Sequence, residues 1–167
     1  CVVVKSLYQR LTRKKVFVVK NIRTAEAVKA MENIQRDVNI ALMNEFAIVF
    51  EKLGIDTFEV IKAASTKWNF QPYWPGAGVG GHCLPEDPYY LITKAKQLGI
   101  KTKIITTSRK LNERMPDHMV ELLNDAFREM KKRIRGSKIL ILGASYKPKV
   151  ADVRNSPAEK ICKKSKK

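Results

Sequence analysis

Cysteine is scarce. Cys1, Cys83 and Cys162 are odd in number and show no CxxC spacing, which argues against a disulfide framework and against a structural zinc site. Histidine is scarcer still: His82 and His118 stand apart, and no metal centre is expected. No apolar run approaches the ~18 residues that a membrane span needs, and no charged-then-apolar leader opens the chain. Neither a span nor a signal peptide is expected, and a reducing cytoplasm suits the thiol usage. Acidic residues are also few, 16 against 33 lysines and arginines, for a net charge of +17.

That charge is uneven. Residues 1–23 carry seven basic and no acidic groups, 24–127 carry twelve against thirteen, and 128–167 carry fourteen against three. Basic ends of this kind can neutralise phosphates. Yet no recognition motif accompanies them, and aromatics are not interleaved as a stacking platform requires, so nucleic acid is not the expected partner. With 44% apolar residues the chain can still build a real core.

The richest segment is Pro75-Gly76-Ala77-Gly78-Val79-Gly80-Gly81-His82-Cys83-Leu84-Pro85-Glu86-Asp87-Pro88. It sets a cysteine at the lip of a glycine loop, a carboxylate four residues on, and a helix start behind it. Asp-Pro is a strong helix entry, and the positive end of a helix favours an anion there. Taken singly, Asp87 reads first as a cap, and a lone cysteine as a small hydrophobe. Together they read as a nucleophile site. A dinucleotide loop would follow a strand directly, but Pro72 and Pro75 rule out a central strand before these glycines.

Upstream, residues 24–53 contain no Gly or Pro, begin with Thr24 as a candidate cap and stop at Gly54. The apolar positions Val28, Met31, Ile34, Val38, Leu42, Phe46, Val49, Phe50 and Leu53 predict a wide buried stripe on a rod about 45 Å long. Such a rod spans between domains or builds a subunit interface. Lys29 and Asn33 share one face, and Asn44 returns to nearly the same angle. Shorter helices are expected over 56–65, 88–98 and 104–113, with another opening at Pro116. Val16 to Val19 reads as a closing strand. Lys138 to Gly143 reads as a buried strand, followed by a loop and a capping box at Ser156, Pro157 and Glu159. Lys147 in that loop is placed to grip a phosphate, or equally to be a solvated lysine.

Three segments, taken together, resemble the UDP-glucose/GDP-mannose dehydrogenase family, most closely its prokaryotic UDP-N-acetylmannosamine and UDP-N-acetylglucosamine 6-dehydrogenases. They are Ala25-Glu26-Ala27-Val28-Lys29 with Asn33 and Asn44-Glu45; the glycine loop with Cys83 and Asp87-Pro88; and Gly143-Ala144-Ser145-Tyr146-Lys147 with Asp152, Arg154 and Ser156-Pro157. The resemblance implies oxidation of a sugar C6 alcohol to a carboxylate with two NAD, through a cysteine thiohemiacetal and thioester. It implies Cys83 as nucleophile, Lys29 as oxyanion stabiliser, Asn33 as positioning group and Asp87 as acid-base partner. It also implies substrate contacts from Lys67, Tyr73, Gly78, Gly80, Gly81, Tyr146 and Lys147, with a UDP-sugar as the ligand and a homodimer formed through the helix 24–53.

The expected fold is mainly α: a long dimerisation helix within a helical domain, then the first strand-loop-helix unit of a truncated Rossmann-like α/β domain. The expected boundaries are 1–23, remnant of an upstream α/β domain; 24–114, central helical domain with the cysteine; and 115–167, start of the UDP-sugar domain. The family's NAD-binding domain has no counterpart here, so no cofactor-binding residue is assigned, and the chain reads as an incomplete portion without turnover of its own. The rival reading is a non-enzymatic dimerisation and polyanion-binding module derived from the same family.

Overall fold

A computed structural model describes residues Val2 to Ser165. They form six helices: α1 (Val2–Leu11), α2 (Ile22–Leu53), α3 (Thr57–Ala64), α4 (Asp87–Gln97), α5 (Lys103–Glu129) and α6 (Pro157–Ser165). The chain divides into two compact units, Cys1–Glu32 and Asn33–Lys167. In the first, the Gln9 side chain accepts a hydrogen bond from the Val16 amide at 2.8 Å and donates to the Lys14 carbonyl at 3.1 Å, fastening the return of the chain onto α1. The start of α2 is capped by Asn21, whose Oδ1 accepts from both the amide and the hydroxyl of Thr24. Thr24 is therefore not the cap; the residue with a free carboxamide three positions earlier takes that place.

The mainly helical architecture is as expected, but no strand forms among the described residues. Val16 to Val19 and Lys138 to Gly143 are both irregular. A strand exists only by pairing, and neither run has a neighbour with which to build a ladder. Leu140 and Leu142 are left more than four-fifths exposed. The loop and α6 do follow, with Ser156 Oγ accepting the Ala158 amide at 3.3 Å. The capping box is half made, because Glu159 turns instead to Lys163 at 2.6 Å.

Helix α2 ends where Gly54 takes φ +68° and the Ile55 amide bonds back to the Phe50 carbonyl at 2.9 Å. In the second unit its inward face is formed by Asn33, Ile34, Asp37, Ala41 and Asn44. Only part of the expected stripe is buried: Ile34 is in the core and Val38 and Phe50 are half-buried, whereas Leu42, Phe46, Val49 and Leu53 are all more than 40% exposed. Apolar periodicity correctly marks a face, but the face that packs is chosen by the hydrogen bonds available to the asparagines and Asp37, which cost more to leave unmade.

Helix α5 lies against α4 and α6. It runs unbroken through Pro116, which the sequence suggested as a helix start. Proline cannot donate to the carbonyl four residues back, so the Asn112 carbonyl is released from the helix ladder. Gly78 fills the notch: a Cβ there would lie 3.2 Å from that oxygen and 3.3 Å from Pro116 Cδ. A proline in one element and a glycine in another thus form one contact.

Candidate active site

Cys83 is exposed and lies at the end of the glycine loop. Its carbonyl accepts the amides of Glu86 at 3.1 Å and Asp87 at 2.8 Å, so Cys83 opens the turn that becomes α4. Glu86 occupies the cap position of α4 without a side-chain cap bond, and Asp87 is the first helical residue. The Asp87 side chain accepts a hydrogen bond from Asn33 Nδ2 at 2.5 Å. The carboxylate that the sequence offered first as a cap is instead held by a buried carboxamide from α2. Asn33 is 2% exposed. Lys29 is an exposed residue of α2, in the other compact unit.

The glycines of the loop are determined by close packing. Gly81 has φ +92°, and a Cβ on it would sit 2.9 Å from the Tyr146 ring. At Gly80 a Cβ would meet the Asn155 carbonyl and Tyr146 Cβ, each at 2.8 Å. The segment around Tyr146 is thus laid directly on the loop, and Asn155 Nδ2 donates to the Gly81 carbonyl at 3.2 Å. Asp152 holds its own segment together: its carboxylate accepts Arg154 Nε at 3.0 Å and Nη2 at 2.9 Å, while its carbonyl accepts the Tyr146 amide. The Arg154 guanidinium holds the Asp152 carboxyl down at about 2. His82 Nδ1 lies 4.0 Å from the same carboxylate. Lys147 is exposed and Tyr146 half-buried.

Lys67 and Trp68 are exposed in the turn after α3, Trp68 to 92%. Tyr73 is half-buried, and the neighbouring Trp74 ring stacks on Phe58 with centroids 5.8 Å apart. A cleft of 180 Å³ lies on the other side of the loop, bounded by Gly78, Tyr89, Arg109, Asn155 and Pro157; Cys83 is not in its wall.

Sequence reasoning missed the buried polar cluster behind the loop. Arg109 Nη1 donates to Asp37 Oδ1 at 2.5 Å, and Asn112 Nδ2 donates to the same oxygen at 2.8 Å and to the Asp37 carbonyl at 2.9 Å. Asn44 Nδ2 donates to Asn112 Oδ1 at 2.9 Å, and the Gly76 amide donates to Asn44 Oδ1 at 2.8 Å. Burial raises the Asp37 carboxyl above its usual range, against the pull of Arg109. The available signal was Asp37 itself, one turn beyond Asn33 and two turns before Asn44 on the same face.

The comparisons with known proteins identify the family. Residues 23–114 match the UDP-glucose/GDP-mannose dehydrogenase family, central domain. The chain is 44% identical over 153 residues to the UDP-N-acetyl-D-glucosamine 6-dehydrogenase of Pseudomonas aeruginosa, covering 92% of this chain and 36% of that protein. It is 42% identical over 157 residues to the UDP-N-acetyl-D-mannosamine dehydrogenase of Pyrococcus horikoshii, covering 94% of this chain and 37% of that one. The solved structure of the UDP-D-ManNAc dehydrogenase from Pyrococcus horikoshii superposes with a TM-score of 0.91 at 40% identity, over 99% of this chain and 38% of its own. This chain therefore spans little more than a third of the relatives it matches, and it belongs to the UDP-glucose/GDP-mannose dehydrogenase family.

Proposed function

We propose that these residues carry the covalent-catalysis part of a cytoplasmic nucleotide-sugar 6-dehydrogenase acting on a UDP-N-acetylhexosamine. The observation that supports it best is the Asn33–Asp87 hydrogen bond at the foot of the turn that Cys83 opens. It gives an exposed thiol a neighbouring carboxylate whose orientation is fixed from a second helix.

In this reading the Cys83 sulfur adds to the carbonyl carbon of a sugar C6 aldehyde. A C–S bond forms, and the carbonyl oxygen takes the charge and then a proton. Lys29 supplies positive charge for that oxygen. Hydrolysis would follow only once an external hydride acceptor had taken the C6 hydride and left a thioester: water would add to the same carbon, Asp87 would take its proton, and the C–S bond would break with the sulfur as leaving group. Asn33 holds the Asp87 carboxylate from α2 by its side-chain amide. Lys67 and Tyr73 flank the sugar, the Gly78, Gly80 and Gly81 backbone lines its path, and Tyr146 and Lys147 lie along the UDP portion.

The hydride acceptor that the family implies is NAD. The glycine loop here does not fit it: the loop follows the irregular residues 66–75 rather than a strand, and its Cβ faces are filled by Tyr146, Asn155 and Pro157. A homodimer forms through the outer side of α2, where the exposed Phe46 stacks on the half-buried Phe50 at 5.4 Å.

The test is covalent trapping. With a UDP-N-acetylhexosamine 6-aldehyde carrying carbon-13 at C6, the carbon NMR spectrum at equilibrium should show a thiohemiacetal signal that is absent from Cys83→Ser and kept in Cys162→Ser. Persistence of that signal in Cys83→Ser would overturn the assignment.

A further inference from the structure

Two arms of hydrogen bonds leave the Asp37 carboxylate, and they reach opposite ends of the segment that contains Cys83. One passes through Asn112 and Asn44 to the amide of Gly76, where the glycine loop begins. The other passes through Arg109, whose Nη2 reaches Glu113 Oε1 at 3.4 Å, to the Tyr89 hydroxyl, which donates to that same oxygen at 2.5 Å. Tyr89 stands two residues after Asp87 on α4. We propose that Asp37, Arg109 and Asn112 are positioning residues that hold the Cys83–Asp87 turn in register with Asn33, by tying Gly76 and Tyr89 to one buried carboxylate.

The energetics favour this role over simple stabilisation. Asp37 is fully buried and Arg109 is 2% exposed. Asp37 Oδ2 and Arg109 Nε have no hydrogen-bond partner among the described residues. A buried ion pair with unmet atoms is no more stabilising than well-packed apolar side chains of the same volume. What an apolar pair cannot supply is direction. Hydrogen bonds of fixed geometry carried through two asparagines and a guanidinium fix where Gly76 and Tyr89 sit. The glycine loop gains no comparable restraint from its own residues, which are chosen for close approach and carry few side chains.

This inference rests on the proposed role of Cys83, and the experiment separates the two. Iodoacetamide alkylation of Cys83 and Cys162 is followed by peptide mass spectrometry in the full chain, its Tyr89→Phe and Asn44→Ala variants, and Tyr90→Phe as a control on the outward face of α4. The Asn33 side-chain amide is followed in parallel by its proton and nitrogen NMR shifts. In Tyr89→Phe, Cys83 alkylation should slow roughly 2- to 30-fold, the range expected for coupling through a packed network. The Asn33 amide proton should move upfield, with Cys162 and the Tyr90→Phe control unchanged. Unaltered Asn33 shifts and an unaltered Cys83 rate in Tyr89→Phe overturn the positioning role, whatever becomes of Asn44→Ala. A wild-type Cys83 no faster than Cys162 instead overturns the nucleophile reading, and the Asn33 shift then still decides the network.

Discussion

Asn33 on α2 donates its carboxamide hydrogen to the Asp87 carboxylate on α4 at 2.5 Å, across 54 positions of sequence. This bond removes Asp87 from the cap role that its place before Pro88 suggests. It also joins the start of α4 to the long helix, so the placement of the Asp87 carboxylate depends on a residue outside the loop.

The coupling between the two should be measurable. A hydrogen bond to a charged group contributes about 1–3 kcal/mol net, so a double-mutant cycle of Asn33→Ala and Asp87→Asn should show an interaction energy in that range by urea denaturation. A value near zero would mean that the contact is not formed in solution.

Behind the site, Arg109→Ala leaves the Asp37 carboxylate buried without its counter-charge, held only by Asn112, and should cost about 3–5 kcal/mol. The double replacement Asp37→Leu with Arg109→Met should recover most of that loss while leaving Cys83 alkylation slow. Recovery of both stability and thiol reactivity would show that the polar cluster only fills space.

Gly80 and Gly76 make a matched pair. A Cβ at Gly80 falls 2.8 Å from the Asn155 backbone oxygen, which cannot swing aside, whereas nothing lies within 4 Å of one at Gly76. Gly80→Ala should therefore destabilise by about 1–3 kcal/mol through overpacking, and Gly76→Ala should stay within about 0.5 kcal/mol. Thermal melts of the two variants beside wild type provide the comparison.

Two carboxylates impose opposite pH dependences. Asp152 titrates near 2 in the folded chain against an ordinary 3.8, because Arg154 binds its ionised form. The unfolded chain takes this proton first, so the stability it contributes is present above pH 3.8 and is lost as pH falls toward 2. Asp37 is shifted upward by burial, so the folded chain takes its proton first and stability is lost as pH rises from 3.8 through the folded value. Denaturation midpoints across acidic pH should show the low-pH loss flattened by Asp152→Asn and the opposite trend flattened by Asp37→Asn.

The outward stripe of α2 bears on assembly. Phe46→Glu with Phe50→Glu should shift sedimentation from the proposed dimer to monomer while leaving the far-UV helical signal in place, because Phe46 is exposed and Phe50 only half-buried. Retention of the dimer would place the interface elsewhere.

Much of the site could be read from local chemistry. Cys83, Asp87 and the glycines occur within one short segment, where spacing alone implies a turn running into a helix. Asn33 and Asn44 were placed on one face by helical angle, and both are buried there. The ends of α2 and α4 followed from Gly54 and Gly99, whose positive φ angles close the helices. What stayed hidden has a common cause. Arg109, Asn112 and Glu113 look like ordinary surface residues of a polar helix until Pro116, Asp37 and Gly78 are brought beside them. Likewise, no property of the apolar residues on α2 says that the stripe of Leu42, Phe46 and Val49 stays outward.

By itself, then, the order of residues determined which side chains are candidates for chemistry, where α2 and α4 stop, and the family to which the chain belongs, because glycines and motif spacing act over a few positions. Tertiary structure alone decided which face of α2 is inward and which partner Asp87 takes. Those choices depend on buried donors finding acceptors dozens of residues away, and that matching has no local signature.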